Sequence, residues 1–187
     1  EKGDTTFQRP YVGATFDPVT SEVAEALGLK RARGALVVGV VKDGPAEKAG
    51  IEPGQVVTAV NGIEVEHPDA LGYRLTTAGI GKSATITVID KGKEKNLTIA
   101  LDSAPETAPR DERLLEGRNP FAGATVANLS PKLADELRLP TGAEGVVIMD
   151  VKRGSPAARV GFQPKDIIVS LNGADMATSA DVEKALD

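Results

Sequence analysis

The sequence contains no cysteine and no tryptophan, and it has a single histidine, His67. Without cysteine the chain can form no disulfide, no thiolate nucleophile and no cysteine-ligated zinc site. A serine–histidine–aspartate triad would have to use His67, which precedes Pro68 at a predicted helix start and is expected to be a solvated turn residue. We therefore predict no catalytic residue, no metal site and no cofactor within these 187 residues.

Aromatic residues make up only 3% of the chain, and the net charge is −5 without any block of basic residues. Both features disfavour a nucleic-acid binder, which needs cations against the phosphates and rings on which bases stack. The apolar runs are short, so no membrane span is predicted, and no basic, apolar leader stands at the start. The remaining composition is that of a globular chain with one large or two small domains.

An internal repeat is the most informative feature that the sequence does contain. Residues 34–62 and 145–173 align without a gap, and most of the identical positions are Gly, Pro or Asn, which fix backbone geometry. The identities in the first copy are Gly34, Val40, Pro45, Ala46, Gly50, Pro53, Asn61 and Gly62. Upstream the register shifts by one residue, so that 13–15 matches 123–125. We predict two copies of one domain, over residues 1–101 and 119–187.

Proline and glycine mark a short helix within each copy. Pro45 suits the first residue of a helix of about one turn, and Gly50 suits its left-handed C-terminal cap. The strand predicted at 56–60 ends at Asn61-Gly62, a pair typical of a type I′ hairpin turn. The second copy repeats these features 111 residues later, including a strand predicted at 167–171.

Longer and shorter helices complete the pattern. A long amphipathic helix begins at Pro68 in the first copy and at Thr178 in the second, where Asp181 completes a capping box. Short helices are also predicted over 20–27 and from Ser130 onward.

The two copies differ at their ends. The first finishes with two predicted strands, at 84–89 and 95–101, whereas the second stops at Asp187, before the matching strands. We expect the second domain to be truncated at its C-terminus and to leave a strand edge that needs covering. Residues 102–118 between the copies are rich in proline, alanine and charge, which is typical of an extended, solvated linker. Within it, Leu114 and Leu115 indicate a docking turn on a neighbouring domain.

This order of elements, with its Gly-Ala-Leu-Val-Val strand at 34–38 and its Pro-Ala-x-x-Ala-Gly helix at 45–50, resembles a bacterial PDZ domain. The tandem arrangement, opened by the residues Arg-Pro-Tyr-Val-Gly-Ala at 9–14, resembles the C-terminal half of the HtrA (Deg/Do) family of envelope serine proteases. The resemblance implies a mainly β fold with short helices, in which each domain is a partly open β-barrel or sandwich capped by two helices. The sequence departs from the family at Gln55, where Asp is usual, and in the less typical loop 119–124.

Such a module recognises peptides through its backbone: an extended peptide adds as a strand, and its terminal carboxylate enters a loop of converging N–H donors. The matching loop is 11–14, where Gly13 permits a close backbone approach, and strand alternation places its apolar neighbours opposite the long helix. The predicted peptide-binding residues are Tyr11, Val12, Gly13, Ala14, Phe16, Leu71 and Leu75. The second-domain candidates are Phe121, Ala122, Gly123, Ala124, Val126, Val182 and Leu186. Each apolar candidate is also a candidate core residue.

The resemblance further implies a regulatory segment of a periplasmic serine protease-chaperone. The family's nucleophile lies in a Gly-Asn-Ser-Gly-Gly motif of an upstream trypsin-like domain, so this fragment is not expected to be an enzyme. The implied partners are polypeptide C-termini or unfolded segments, the protease domain of the same parent chain, and sister chains in a homo-oligomer. The alternative is a structural adaptor that packs without binding peptide termini, which the small Ala122 and Ala124 favour for the second domain. A hydrolase site within this chain would have only His67 to build on.

Overall fold

The computed structural model describes residues 8–187. The chain divides into two compact units, Glu1–Ala104 (unit 1) and Pro105–Asp187 (unit 2). Each unit is mainly β with short helices, and its sheet does not close, which confirms the predicted fold class. Among the described residues, no helix is both long and apolar enough to cross a membrane.

Unit 1 is built on one sheet with the strand order β1-β2-β3-β5-β6, and β4 pairs with β3 beside this path. All pairings are antiparallel, and the longest joins β5 to β6 from Lys82↔Leu101 to Asp90↔Lys93. The strands are β1 (Ala14–Pro18), β2 (Ala35–Val40), β3 (Val56–Val60), β4 (Ile63–Glu64), β5 (Lys82–Asp90) and β6 (Lys93–Leu101). The helices are α1 (Ser21–Ala26), α2 (Pro45–Ala49) and α3 (Pro68–Ala78).

Unit 2 has a four-stranded sheet with the order β10-β9-β8-β7 and a separate pair, β11 with β12. Its strands are β7 (Arg113–Leu114), β8 (Ala124–Asn128), β9 (Val146–Val151), β10 (Ile167–Ile168), β11 (Ser170–Leu171) and β12 (Ala174–Asp175). Its helices are α4 (Pro131–Leu137), α5 (Pro156–Val160) and α6 (Ser179–Leu186). β8 and β9 pair in the register of β1 and β2, with the same irregularity after the second pair.

The local predictions from proline, glycine and capping residues are confirmed. α2 begins at Pro45 and ends at a left-handed Gly50, and α5 repeats this with Pro156 and Gly161. The hairpin residues Asn61-Gly62 and Asn172-Gly173 all have positive φ, as a type I′ turn requires. The capping box of α6 is present: the Thr178 side chain accepts from Asp181 N–H, and the Asp181 carboxylate accepts from Thr178 N–H.

Each unit has its own apolar core, formed between its sheet and its longest helix. In unit 1, Leu71 and Leu75 of α3 pack with the inward side chains of the sheet, among them Val37, Val57, Val60, Ile86, Val88, Ile99 and Leu101. In unit 2, Val182 of α6 packs with Leu115, Phe121, Ala124, Val126, Val146, Ile148, Ile168 and Met176.

The strand predicted at 167–171 is interrupted. Val169 separates β10 from β11, its side chain is exposed, and its carbonyl accepts a hydrogen bond from Met176 N–H at 2.8 Å. In unit 1 the equivalent strand β3 stays continuous because Ala59 and Val60 pair with β5. The described part of unit 2 has no counterpart of β5, so its backbone here is held from one side only.

The segment 102–118 differs from the solvated linker that its composition predicts. The chain divides between Ala104 and Pro105, and the residues after this point are anchored within unit 2. Pro105 O accepts from Lys132 N–H at 3.0 Å, and Arg113–Leu114 form β7 against β8. Leu115 is buried in the unit 2 core, although many side chains of the segment are exposed.

One glycine in unit 1 is required by close packing. Gly34 has φ +110°, and a Cβ added there would lie 2.7 Å from both Val57 O and Val56 Cγ1. Gly54 also has positive φ, at +91°, but a Cβ there would meet nothing within 4 Å. Alanine substitutions at both glycines would introduce left-handed backbone strain, but only the one at Gly34 would also introduce steric overlap. Comparing the two variants therefore separates the energetic cost of strain from that of overlap.

We predict that Gly34→Ala lowers the free energy of unfolding of unit 1 by about 2–5 kcal/mol, which combines left-handed strain with overpacking. Gly54→Ala, the matched control, is expected to lose only the strain component of about 1–2 kcal/mol. Denaturant unfolding followed by tyrosine fluorescence isolates unit 1, because Tyr11 and Tyr73 are the two tyrosines of the chain. Equal losses in the two variants would contradict the close contact at Gly34.

Candidate functional site

The predicted binding loop of unit 1 is held against the first turn of α2. Val12 O accepts from Ala46 N–H at 2.9 Å, and Gly13 O accepts from Val41 N–H at 2.8 Å. Gly13 has φ +69°, and a Cβ there would lie 3.3 Å from Pro45 Cδ. The loop therefore has a fixed backbone path in which glycine relieves both strain and crowding.

The other predicted loop residues surround this turn. Tyr11 N–H donates to Asp102 O at 2.8 Å, which ties the start of the loop to the end of β6. Burial raises the pKa of the Tyr11 hydroxyl above its ordinary value. Val12 and Phe16 are partly buried and Ala14 is buried, and all three pack against the unit 1 core. All three side chains therefore contact the same apolar core.

Leu71 and Leu75 lie on the buried side of α3. Both are only 3% exposed and belong to the unit 1 core. The neighbouring side of α3 instead lines an open cavity of about 420 Å³. Its lining residues are Arg9, Pro68, Asp69, Gly72, Tyr73 and Thr76, none of which the sequence analysis selected.

Gly72 is the notable member of this lining. It stands inside α3, where glycine costs roughly 1 kcal/mol relative to alanine, and a Cβ there would meet nothing within 4 Å. The helix thus leaves space beside the cavity at this residue. Tyr73 is exposed at the same surface, with the Arg74 guanidinium 5.7 Å from its ring centroid.

The loop of unit 2 repeats the geometry of the first loop. Ala122 O accepts from Ala157 N–H at 3.1 Å, and Gly123 O accepts from Lys152 N–H at 2.8 Å. Gly123 has φ +92°, and a Cβ there would lie 2.3 Å from Ser155 Cβ, so only glycine fits. Phe121 stacks on Phe162 with their ring centroids 4.6 Å apart.

The remaining candidates of unit 2 line a space that the chain itself fills. Val126 and Val182 are buried and Leu186 is partly buried, and all three belong to the cluster that contains Leu115. Leu115 N–H donates to Ala124 O at 2.8 Å, and Leu115 O accepts from Gly123 N–H, also at 2.8 Å. The N–H of the loop glycine therefore faces the edge of β8.

The internal repeat relates this filled space to the open cavity of unit 1. At the offset of 111 residues, Ser179 and Glu183 of α6 correspond to Pro68 and Gly72 of α3. Ser179 Oγ donates to Asp111 O at 2.7 Å, and Glu183 accepts from the Arg113 guanidinium. The side of α6 that touches the segment 111–115 thus corresponds to the side of α3 that lines the cavity.

Other features of the structure lie apart from these residues. A cavity of about 490 Å³ in unit 1 is lined by residues of 28–33 together with Thr58, Glu64, Ile89, Gly92 and Glu94, and by none of the predicted site residues. His67 caps α3: its Nδ1 accepts from Asp69 N–H at 3.2 Å. Across residues 8–187, no group of three or more His, Asp or Glu side chains is placed to hold a metal ion.

Gln55 preserves the contact that aspartate makes in the other unit. Its Oε1 accepts from Glu52 N–H at 3.1 Å, as Asp166 Oδ2 accepts from Gln163 N–H at 2.9 Å. The backbones of these two residues also bind their neighbouring strands alike, through Val37 N–H and Ile148 N–H. The departure at Gln55 therefore leaves the local structure unchanged.

Comparison with known proteins agrees with this architecture. The PDZ domain family model matches the chain twice, over residues 10–101 and 120–187. A probable periplasmic serine endoprotease, DegP-like, from Bartonella henselae is 35% identical over 185 residues, which cover 97% of this chain and 35% of that protein. Its namesake from Brucella suis is 32% identical over 179 residues, 96% of this chain and 34% of that protein.

Among solved structures, the HtrA-type protease AlgW with a decapeptide shares 31% identity with a TM-score of 0.47, over 52% of this chain and 30% of that chain. The chain belongs to the PDZ domain family, with one PDZ domain in each unit. Its homologues are DegP-like periplasmic serine endoproteases, and the chain spans about a third of the length of those curated relatives.

Proposed function

We propose that unit 1 binds the carboxyl-terminal residues of another polypeptide as an added strand beside β1. The observation that carries this proposal is the correspondence between the two loops. In unit 2 the glycine N–H of the loop and the first carbonyl of β8 hold a leucine backbone from both sides. The loop of unit 1 has the same anchoring to its short helix, and β1 is an edge of the sheet formed by the described residues. An edge strand offers its N–H and C=O groups to an incoming chain.

The chemistry of the loop favours a free carboxylate. A peptide that follows the unit 2 pattern donates its last N–H to Ala14 O and directs its terminal carboxylate at Gly13 N–H. Hydrogen bonds to charged groups contribute about 1.5–3 kcal/mol, more than neutral ones. Arg9, which lines the cavity beside α3, adds a positive charge near this end of the groove.

The side-chain preference follows from the apolar surface at the loop. Leu115 packs with Phe121, Ala124 and Val126 in unit 2, and these correspond to Tyr11, Ala14 and Phe16 in unit 1. We therefore assign an apolar side chain to the last residue of the ligand, in contact with this surface and with Val12. Leu71 and Leu75 support the groove from the core side.

For the whole protein, we propose a periplasmic serine endoprotease that uses unit 1 to capture C-termini or extended segments of misfolded or cleaved envelope proteins. The similarity to DegP-like proteases supports this, as do the two PDZ domains of the chain. The protease domain would lie outside these residues, and sister chains would complete a homo-oligomer. The structural adaptor remains the alternative for the pair as a whole.

We predict that a heptapeptide ending in leucine binds the chain with a stoichiometry of one when its carboxylate is free. The matching C-terminal amide should bind at least about tenfold more weakly, because it lacks the charge-assisted hydrogen bond. Isothermal calorimetry of both peptides measures the difference. Equal affinities would show that the carboxylate is not recognised.

A second prediction tests the helix side of the groove. Gly72→Phe should lower the affinity for the carboxylate peptide at least about tenfold, because the ring enters the cavity. The stability of unit 1 should not fall, since the position is open and phenylalanine is a better helix former than glycine.

Thr77→Phe is the matched control, because Thr77 is exposed on α3 but does not line the cavity. Its affinity should stay within about twofold of the unmodified chain, with calorimetry for binding and tyrosine fluorescence for stability. Undiminished binding by a folded Gly72→Phe variant would place the peptide elsewhere.

A further inference from the structure

We infer that the groove between β8 and α6 of unit 2 is a peptide-binding groove that the chain fills with its own residues Arg113–Leu115. This segment acts as a built-in ligand. A free peptide of the same chemistry, with leucine at its carboxyl end and arginine two residues before it, enters the groove only when the segment is displaced.

The backbone of the segment lies where an added strand would lie. β7 runs antiparallel to β8, with Arg113 opposite Val126 and Leu114 opposite Thr125. Leu115 continues the pairing through two hydrogen bonds. Its N–H donates to Ala124 O, and its carbonyl accepts from Gly123 N–H. The segment therefore runs toward the loop of unit 2. Its last paired carbonyl, Leu115 O, accepts the hydrogen bond from Gly123 N–H that the carboxylate of a bound peptide would otherwise accept.

The side chains alternate as those of a bound peptide do. Leu115 is 2% exposed within the unit 2 core, whereas Leu114 points away and is 50% exposed. Arg113 turns back to α6, where its guanidinium donates to Glu183. The segment thus has the arrangement of a bound three-residue ligand: Leu115 is the buried apolar end, Leu114 faces outward and Arg113 faces the helix.

The residues before the segment hold it in place. Asn128 N–H donates to Arg110 O at 2.7 Å, and Asn128 Nδ2 donates to Pro109 O at 2.8 Å. Ser179 N–H donates to Asn128 Oδ1 at 2.7 Å, so one buried asparagine of β8 links residues 109–110 to α6. A ligand tethered this closely has an effective concentration on the order of millimolar or above, which a dilute free peptide does not overcome.

The test uses the full chain with Arg113→Gly/Leu115→Gly, which removes both inward side chains, and Leu114→Gly as the matched control. The probe is the synthetic heptapeptide Pro-Arg-Asp-Glu-Arg-Leu-Leu, the sequence of residues 109–115, with a free carboxylate. Backbone NMR follows the amides of Gly123, Ala124 and Glu183 separately from those of unit 1. Binding of the probe to unit 1, which the proposed function predicts, is therefore measured separately from its binding to unit 2.

In the double variant we expect the unit 2 amides to shift with an affinity at least about 100-fold above that of the unmodified chain, because the tethered competitor is gone. The Leu114→Gly control should behave as the unmodified chain. The inference is overturned if the unmodified chain binds the probe in unit 2 as tightly as the double variant, or if the folded double variant does not bind it.

If the double variant is unfolded in unit 2, the probe should restore its folded amide spectrum, and failure to do so also overturns the inference. Hydrogen exchange on the unmodified chain provides a second measurement. The amides of Leu115 and Gly123 should exchange within about tenfold of Ile148 N–H, which bonds Asp166 O in the same unit. Exchange at the rate of an exposed turn would mean that the segment is not seated.

Discussion

The contact between the binding loop and the first turn of a one-turn helix is the constraint on which the site depends. The first N–H groups of a helix have no partner within the helix, so they attract a carbonyl from outside. In unit 1 this carbonyl is Val12 O on Ala46 N–H, and in unit 2 it is Ala122 O on Ala157 N–H. The chain must then turn sharply at the next residue, which is Gly13 or Gly123 with positive φ. In unit 2 this turn directs the Gly123 N–H to Leu115 O, beside the edge of β8.

The two units use the same loop beside different edges. An edge strand carries a row of N–H and C=O groups that pair readily with another chain. Unit 2 covers β8 with β7, whereas the edge at β1 carries no further strand among residues 8–187. The same loop geometry thus occurs in unit 1, whose edge strand is open to a ligand among the described residues, and in unit 2, whose own chain covers the equivalent strand. In unit 2 the covering strand comes from residues 113–115, which precede the loop in the sequence.

The sequence predicted the features that depend on neighbouring residues. Pro45 and Gly50 bound a one-turn helix, and Thr178 with Asp181 forms a capping box, because each relies on backbone geometry within a few residues. The anchoring of residues 105–115 was predicted only in part: Leu114 and Leu115 indicated a docking turn, and Leu115 is buried in the core. The hydrogen bonds of residues 109–111 to Asn128 and Ser179 were not predicted, because these partners are distant in sequence and leave no local pattern.

The helix side of the groove was harder to predict for a related reason. Apolar residues at i, i+4 spacing identify the stripe of a helix that meets the core, and Leu71 and Leu75 do lie there. The cavity is lined by the adjacent stripe, which includes Gly72 and Thr76 and has no apolar pattern of its own. The internal repeat contained a signal that could have identified the cavity stripe. Between the two copies the residues of this stripe change in size and charge, as from Gly72 to Glu183, while those of the core stripe stay apolar.

That variation has a physical consequence for ligand choice. The core stripe is Leu71 and Leu75 in α3, and Val182 and Leu186 in α6, because packing against a sheet permits only apolar side chains of similar size. The groove stripe is free of this demand and changes from Gly72 to Glu183. A carboxylate at this position suits a guanidinium two residues before the end of the ligand, and Arg113 supplies one. Gly72 provides space without charge. Unit 1 should therefore select its ligand by the terminal residue and tolerate different side chains two residues before it, where Glu183 of unit 2 binds arginine.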